Sequence, residues 1–186
     1  MPAASLSRDE VADIILAVFR RYGYEGASLA RLSEATGLGR SSLYHYFPNG
    51  KEDMAHAAMA TVGAWSAANL LSTLSGSEPP KTRLKRYAAK LSEFYQGGER
   101  ACLTDVFTIG EAGSIFQRYF RERLQLTMRT LAKVLEKGGI GKAEAARRAE
   151  DAIIALQGAL IVSRALGSNA PFLRMIKEFP DKMLRD

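Results

Sequence analysis

Apolar residues recur along most of this chain every three or four positions, the spacing that places them on one face of an α-helix. The first such stripe follows Ser7-Arg-Asp-Glu10, a capping-box pattern that predicts a helix start. Its members are Val11, Ile14, Ile15, Val18, Phe19 and Tyr22. Gly23 is predicted to end this helix. Since no alternating strand pattern of any length occurs, the sequence predicts an all-α fold.

Two short helices are predicted between Ser28 and Phe47. Ser28 is a suitable N-cap for the first, and Gly37 can adopt the left-handed conformation that ends it. The second runs from about Arg40 to Phe47. Its residues Leu43, Tyr46 and Phe47 fall on one side and are expected to point inward, so the remaining side chains face outward.

The outward face of the second short helix is polar and carries no carboxylate. Arginine can contact guanine edges, whereas hydroxyl and phenol groups can contact bases or phosphates. Two short helices joined by a glycine turn are typical of a helix-turn-helix that binds DNA. The predicted DNA-binding residues are Ser28, Arg40, Ser41, Ser42, Tyr44, His45 and Lys51. The same pattern is also compatible with a solvated face that binds nothing.

The segment Leu32-Ser-Glu-Ala-Thr-Gly-Leu-Gly-Arg-Ser-Ser-Leu-Tyr-His-Tyr-Phe47 resembles the DNA-binding signature of tetracycline-repressor (TetR) family regulators. The matching positions are Gly37, Leu43, Tyr44, Phe47 and Lys51. Gly39, Ser41 and Tyr46 replace the usual Ser, Gly and His. The motif Phe47-Pro-Asn-Gly-Lys51 is similar to that of drug- and flavonoid-responsive repressors. The resemblance implies a three-helix head with a larger helical domain that binds a ligand and dimerises.

A long helix beginning at Lys51 is predicted to reach about Ser75, before the break Gly76-Ser-Glu-Pro-Pro80. The helix after this break is predicted to end at Gly97-Gly98. Three further helices are predicted over Leu103–Gly110, Ser114–Lys137 and Lys142–Leu166, and a last helix is predicted to begin at Pro171. We therefore expect a DNA-binding domain over residues 1–50 and a ligand-sensing and dimerisation domain over residues 51–186, with 51–75 as the connecting helix.

Five aromatic residues after the head admit two interpretations. They are Trp65, Phe94, Phe107, Phe116 and Phe120. Each can simply be part of a hydrophobic core, but ligand pockets in helical domains are lined in the same way. The resemblance implies such a pocket, and these five residues are the candidates to bind a small hydrophobic or aromatic effector.

The stretch from Ala152 to Val162 is apolar except for Gln157. A helix that is apolar all round is either central in its subunit or shared with another subunit. The resemblance implies that the last two helices form the interface of a homodimer. The candidate interface residues are Ala152, Leu156, Ala159, Leu160 and Phe172.

The net charge of +6 invites a nucleic-acid interpretation, but residues 1–53 hold six Lys/Arg against seven Asp/Glu. The prediction of DNA binding therefore depends on the local face and not on bulk charge. The longest apolar run is too short to span a bilayer, and no secretion-signal pattern is present, so we expect no membrane association. With a single cysteine, Cys102, a cytoplasmic location is expected.

Neither a metal site nor a cofactor is expected. His56 follows Glu52 and Asp53 by one helical turn, but a surface ion pair explains this spacing better than a metal site does. The leading interpretation is a transcriptional repressor released from a palindromic operator by a small effector. One alternative is a helical ligand-sensing or protein-interaction module without specific DNA binding. An enzyme is the weaker alternative, because no phosphate-binding glycine loop and no paired-carboxylate motif occur.

Overall fold

The computed structural model describes residues 6–185, and every regular element in that range is helical. The α-helices are α1 (Arg8–Gly26), α2 (Leu29–Thr36), α3 (Arg40–Tyr46), α4 (Lys51–Asn69), α5 (Pro80–Phe94), α6 (Leu103–Phe107), α7 (Gly110–Lys137), α8 (Lys142–Leu166) and α9 (Ala170–Leu184). Short 3-10 helices cover Leu71–Leu74 and Gln96–Gly98. The predicted all-α class is therefore confirmed. No helix among the described residues combines the length and apolarity needed to cross a bilayer.

The described chain divides into two compact units, each discontinuous in sequence. The first unit contains residues 6–64 and Leu103–Gln117. The second contains residues 65–102 and 118–185. Both α4 and α7 begin in the first unit and end in the second. This division does not test the functional boundary predicted at residue 50, which stays a prediction.

The helix caps predicted for the first unit are present. The backbone N–H of Glu10 donates to Ser7 Oγ over 3.2 Å, and the Ser7 N–H donates to the Glu10 carboxylate over 2.7 Å. At α2, the Arg31 N–H donates to Ser28 Oγ over 3.3 Å. Gly37 closes α2 with φ of 68°, the left-handed conformation that glycine adopts without strain.

Several helix boundaries differ from the prediction, among them the ends of α5 at Phe94 and of α6 at Phe107, each three or more residues earlier than predicted. Gly23 interrupts α1 with φ of 69°, but the element continues to Gly26. The helix from Lys51 ends at Asn69 and not at Ser75, because the following backbone bonds tighten to a 3-10 pattern, as in Thr73 N–H to Leu70 C=O. α7 begins at Gly110, four residues before the predicted start.

The core of the second unit lies among α5, α8 and α9. Tyr87 and Phe179 are both buried, with ring centroids 5.8 Å apart. At the start of α9 the backbone N–H of Phe172 donates to the buried Ser163 Oγ over 3.1 Å. These contacts hold α9 against α8 and α5.

Candidate nucleic-acid interface

The structure presents the polar side of α3 to solvent, as the sequence pattern predicted. Arg40, Ser41, Ser42, Tyr44 and His45 are all exposed. Leu43 and Phe47 have no exposed surface and anchor α3 in the first unit. Five polar side chains therefore project from less than two turns of helix, without a carboxylate that would repel phosphate.

The N-terminus of α1 fixes the C-terminal end of α3. The Arg8 guanidinium lies 4.9 Å from the centroid of the Phe47 ring, and Arg8 Nε donates to the Tyr46 carbonyl over 3.3 Å. The Tyr46 hydroxyl in turn donates to the Leu6 carbonyl. Tyr46 is thus a structural residue here, which explains how it can replace an imidazole.

Gly50 connects α3 to α4 with φ of 70°, a backbone conformation that residues other than glycine rarely adopt. A Cβ atom at this position would lie 3.4 Å from the Tyr44 ring. Glycine therefore satisfies both the turn and the close approach of the aromatic ring. The exposed Tyr44 hydroxyl is positioned by the same contact, beside the start of α4.

Two predicted DNA-binding residues also have partners within the chain. The Ser28 side chain accepts the Arg31 N–H at the N-cap of α2, although the residue itself is exposed. The Lys51 ammonium lies 4.4 Å from the centroid of the Tyr24 ring, and Lys51 is only partly exposed. Lys51 therefore also makes a contact within the head, and its role in DNA binding stays a prediction.

The sequence pattern missed an exposed arginine–tyrosine cluster beside α2. Tyr22 was assigned to the apolar stripe of α1, but 37% of it is exposed. The guanidinium groups of Arg31 and Arg21 lie 4.3 and 5.1 Å from the centroid of its ring. The only signal for this cluster in the sequence is Arg21 next to Tyr22, because Arg31 lies nine residues further along the chain.

The structure divides the five predicted effector-binding aromatics between the two units. Phe107 and Phe116 have no exposed surface, and their ring centroids are 5.3 Å apart in the core of the first unit. Core packing accounts for both, which was the alternative interpretation of these residues. In the second unit Trp65 stacks on Phe94 with centroids 4.9 Å apart, and Phe120 is 6% exposed.

Beside the Trp65–Phe94 stack the second unit contains a small polar cluster. Phe94 contacts Tyr95 with centroids 4.8 Å apart, and the Tyr95 hydroxyl donates to Cys102 Sγ over 3.3 Å. Gln157 Nε2 also donates to Cys102 Sγ, over 3.5 Å, whereas the buried Gln157 Oε1 accepts no hydrogen bond from any described residue. The signal in the sequence was Gln157 itself, the one polar residue in an apolar run.

Four of the five predicted dimer-interface residues are buried within the single chain. Ala152, Leu156, Leu160 and Phe172 are at most 7% exposed in the single chain, because they face its own core. Of the five, only Ala159 is partly exposed, and Ala152 and Ala159 both line the groove described below; their role in a dimer stays a prediction. The exposed apolar residues lie on the other side of α8 and on α9. They are Ile154, Ile161, Val162, Leu166 and Leu173.

A groove of about 790 Å³ runs between α8 and α9, and of these five exposed apolar residues only Val162 lines it. Its lining includes the small residues Ala155, Gly158 and Ala159. Charged side chains line it as well, among them Arg147 and Glu178. Small residues beside exposed apolar side chains allow another helix to approach closely.

Within residues 6–185 no group of three or more His, Cys, Asp or Glu side chains is placed to hold a metal ion. His56 Nε2 lies 3.8 Å from the Glu52 carboxylate, and its ring packs at 5.1 Å from Phe116. The first contact is the surface pairing that the spacing indicated, whereas the packing on Phe116 was not predicted.

Residues 13–58 match the family described as bacterial regulatory proteins, tetR family. That segment contains the cap, turn and recognition face described above. Residues 13–58 are therefore a DNA-binding head of the tetR-family type.

Beyond the head, the chain is similar over nearly its whole length to the following proteins. The chain is 20% identical over 178 residues to the HTH-type transcriptional regulator YxaF of Bacillus subtilis strain 168, covering 94% of this chain and 93% of the relative. A TetR transcriptional regulator from Legionella pneumophila has the same fold, with a TM-score of 0.82, 21% identity and full coverage of both chains. A cysteine mutant of the TetR-family regulator CifR, solved with 26-base-pair operator DNA, gives a TM-score of 0.79 at 20% identity, covering 97% and 98% of the two chains.

Proposed function

We propose that this regulator is a homodimeric repressor that leaves a palindromic operator when a small aromatic effector binds. The observation that carries the proposal is the exposed, carboxylate-free face of α3 within a TetR-family head. Arg40 lies at the N-terminal end of α3, where side chains of a recognition helix reach base edges. The similar fold of CifR, solved with operator DNA, supports the same mode of binding.

The exposed surface of α8 and α9 supports the proposed two-fold symmetry. Four exposed aliphatic residues on α8, with Leu173 on α9, form an apolar face that a monomer would leave in water. The groove between these helices has small residues in its lining that leave room for a helix of a second copy, and its charged residues of both signs can pair across a two-fold axis. A dimer would present two α3 helices to successive major grooves, about 34–36 Å apart, and would therefore select a near-palindromic operator.

The effector is proposed to bind beside the Trp65–Phe94 stack. Aromatic side chains there offer a flat apolar surface, and the unpaired Gln157 Oε1 needs a hydrogen-bond donor. An aromatic molecule with a hydroxyl group supplies both, so phenolic compounds are the effector class that this site fits. The connection to the head is α4, which carries Lys51 at one end and Trp65 near the other.

The proposal can be tested by selecting bound sequences from a pool of random duplexes. The expected product is one near-palindromic site, bound with an affinity that falls steeply as salt concentration rises. An alternative, a sensing module without specific DNA binding, predicts no enriched sequence and only weak nonspecific binding. An enriched site without two-fold symmetry would contradict the dimer while leaving DNA recognition intact.

A further inference from the structure

The second unit contains a cleft of about 630 Å³ that none of the proposed functions uses. It is formed by the segment Leu74–Gly76, by α5 and by the C-terminal half of α7. Three cationic side chains, Arg83, Lys133 and Lys137, line it together with the carboxylate of Glu136. We propose that this cleft, here called the Arg83 cleft, binds a small polyanion with phosphate or carboxylate oxygens.

Arg83 is the central observation. Only 3% of this residue is exposed, although its guanidinium is permanently charged. Nη1 donates to the Leu74 carbonyl over 3.1 Å and approaches the Gly76 carbonyl at 3.4 Å. Nε is buried and has no acceptor among the residues described. The buried positive charge of Arg83 is therefore contacted by two backbone carbonyl groups, and it has no carboxylate partner within residues 6–185.

A purely structural role explains only part of this arrangement. The bonds from Nη1 tie the chain segment at Leu74–Gly76 to α5, and a neutral donor could have done the same. They do not account for the unpaired Nε, since buried polar groups normally have partners. An anion beside the guanidinium would supply the missing negative charge and could accept hydrogen bonds from its remaining donors.

The rim of the cleft supports a polyanion over a single negative charge. Lys133 and Lys137 are four residues apart on α7, so they lie on one face of the helix, and both are exposed. Against the single carboxylate of Glu136, the lining carries an excess of two positive charges. Such a concentration of one sign in a concave surface raises the local concentration of oppositely charged ligands.

The test uses the full chain with inorganic phosphate and citrate as probes, each compared with sodium chloride at equal ionic strength. The thermal midpoint is followed together with the arginine Nε–H signals in nitrogen-15 NMR spectra. Loss of one signal in Arg83→Lys identifies the Arg83 resonance. We expect one or both probes to raise the midpoint saturably and to shift that resonance.

The matched variants are Lys133→Gln/Lys137→Gln and the control Lys142→Gln/Lys177→Gln, which removes the same charge from exposed positions outside the cleft. The first pair should weaken the apparent affinity by about tenfold or more, whereas the control should bind like wild type. Both pairs are on the surface, so the test remains valid if Arg83→Lys does not fold.

Saturation by phosphate alone would support a phosphate-bearing ligand, and saturation by citrate alone would support a polycarboxylate. The absence of saturable binding by either probe would overturn the proposal. An equal loss of affinity in both lysine pairs would also overturn it, because the effect would then be one of general charge.

Discussion

The ammonium of Lys51 lies 4.4 Å from the centroid of the Tyr24 ring, so the first residue of α4 makes a cation–π contact with the end of α1. Tyr24 is itself 7% exposed, and burial followed by nearby carboxylates raises the pKa of its phenol. Lys51 therefore serves the packing of the head and still brings a positive charge to the N-terminus of α4, where a phosphate would be stabilised.

Replacing Lys51 by Met should affect both stability and DNA binding. Loss of the cation–π contact should lower the free energy of unfolding by about 0.5–1 kcal/mol. Loss of a phosphate contact should weaken binding to operator and unrelated DNA alike and reduce the salt slope by about one unit. Urea denaturation and salt titrations measure the two effects, with Lys142→Met as the surface control. A destabilised variant with an unchanged salt slope would restrict Lys51 to its packing role.

Arg40→Ala should change sequence preference more than general affinity. Its exposed side chain at the start of α3 is proposed to contact a base edge, so one position in each half-site should become degenerate. The expected loss is about 1–3 kcal/mol per half-site on the selected operator, and much less on unrelated DNA. Arg129→Ala removes an exposed charge from α7 and is the control. If the selection repeated with Arg40→Ala returned the same sequence logo, this base contact would be excluded.

Glu25 caps the N-terminus of α7 from α1, since its carboxylate accepts the backbone N–H of Ala112 over 3.2 Å. Burial alone would raise its pKa, but the backbone N–H donors outweigh burial and hold the pKa of Glu25 below its usual 4.5. A lowered pKa in the folded state means that the ionised carboxylate adds stability above about pH 4.5, which is lost as pH falls through the folded value.

Glu25→Gln should therefore unfold more easily than wild type at neutral pH, by about 0.3–1 kcal/mol. The difference should shrink as the pH is lowered below 4.5, where wild type loses its charge as well. Urea denaturation between about pH 7 and pH 3.5 gives this comparison. Glu34→Gln, an exposed change in α2, should show no such pH-dependent difference. A gap that persisted unchanged at low pH would argue against the charge as its cause.

Local signals in the sequence were sufficient for the helix caps and for the orientation of α3. Ser7, Ser28 and Gly37 act through bonds and dihedral angles within a few residues, so their roles can be predicted without knowing the fold. The face of α8 could not be predicted in this way. Its middle is apolar all round, and only the packing of α9 decides that Leu156 is inside and Ile161 outside. Likewise, the pairing of Glu25 with Ala112 joins positions that no local pattern connects.

The exposed apolar residues of α8 and α9 give a prediction about assembly. Ile161→Glu should produce a folded monomer, because Ile161 is 49% exposed in the single chain but would be buried without a charge partner in the dimer. Sedimentation velocity at micromolar concentration, together with helical circular dichroism, distinguishes assembly from folding. Ile109→Glu changes an aliphatic residue that is 72% exposed in the first unit and should remain dimeric. A dimeric Ile161→Glu variant would place the interface elsewhere.

The last prediction concerns coupling between effector and operator. A ligand can displace a repressor only if it binds better to the conformation that does not hold DNA. A hundredfold loss of operator affinity requires about 2.7 kcal/mol of coupling, and the ligand must then bind equally more weakly when operator is present. A panel of phenols, each compared with its methyl ether, should change the fluorescence of Trp65, the single tryptophan. The phenols should bind better than the ethers, since only they can donate to Gln157 Oε1.

Gln157→Leu tests the same site from the protein side. The change removes an unpaired buried acceptor together with the long hydrogen bond from Gln157 Nε2 to Cys102 Sγ, so stability should change little, whereas the advantage of phenols over their ethers should disappear. A variant that kept this advantage would show that the hydroxyl binds elsewhere. Equal affinity of the best phenol with and without saturating operator would refute the coupling, even if that phenol bound tightly beside Trp65.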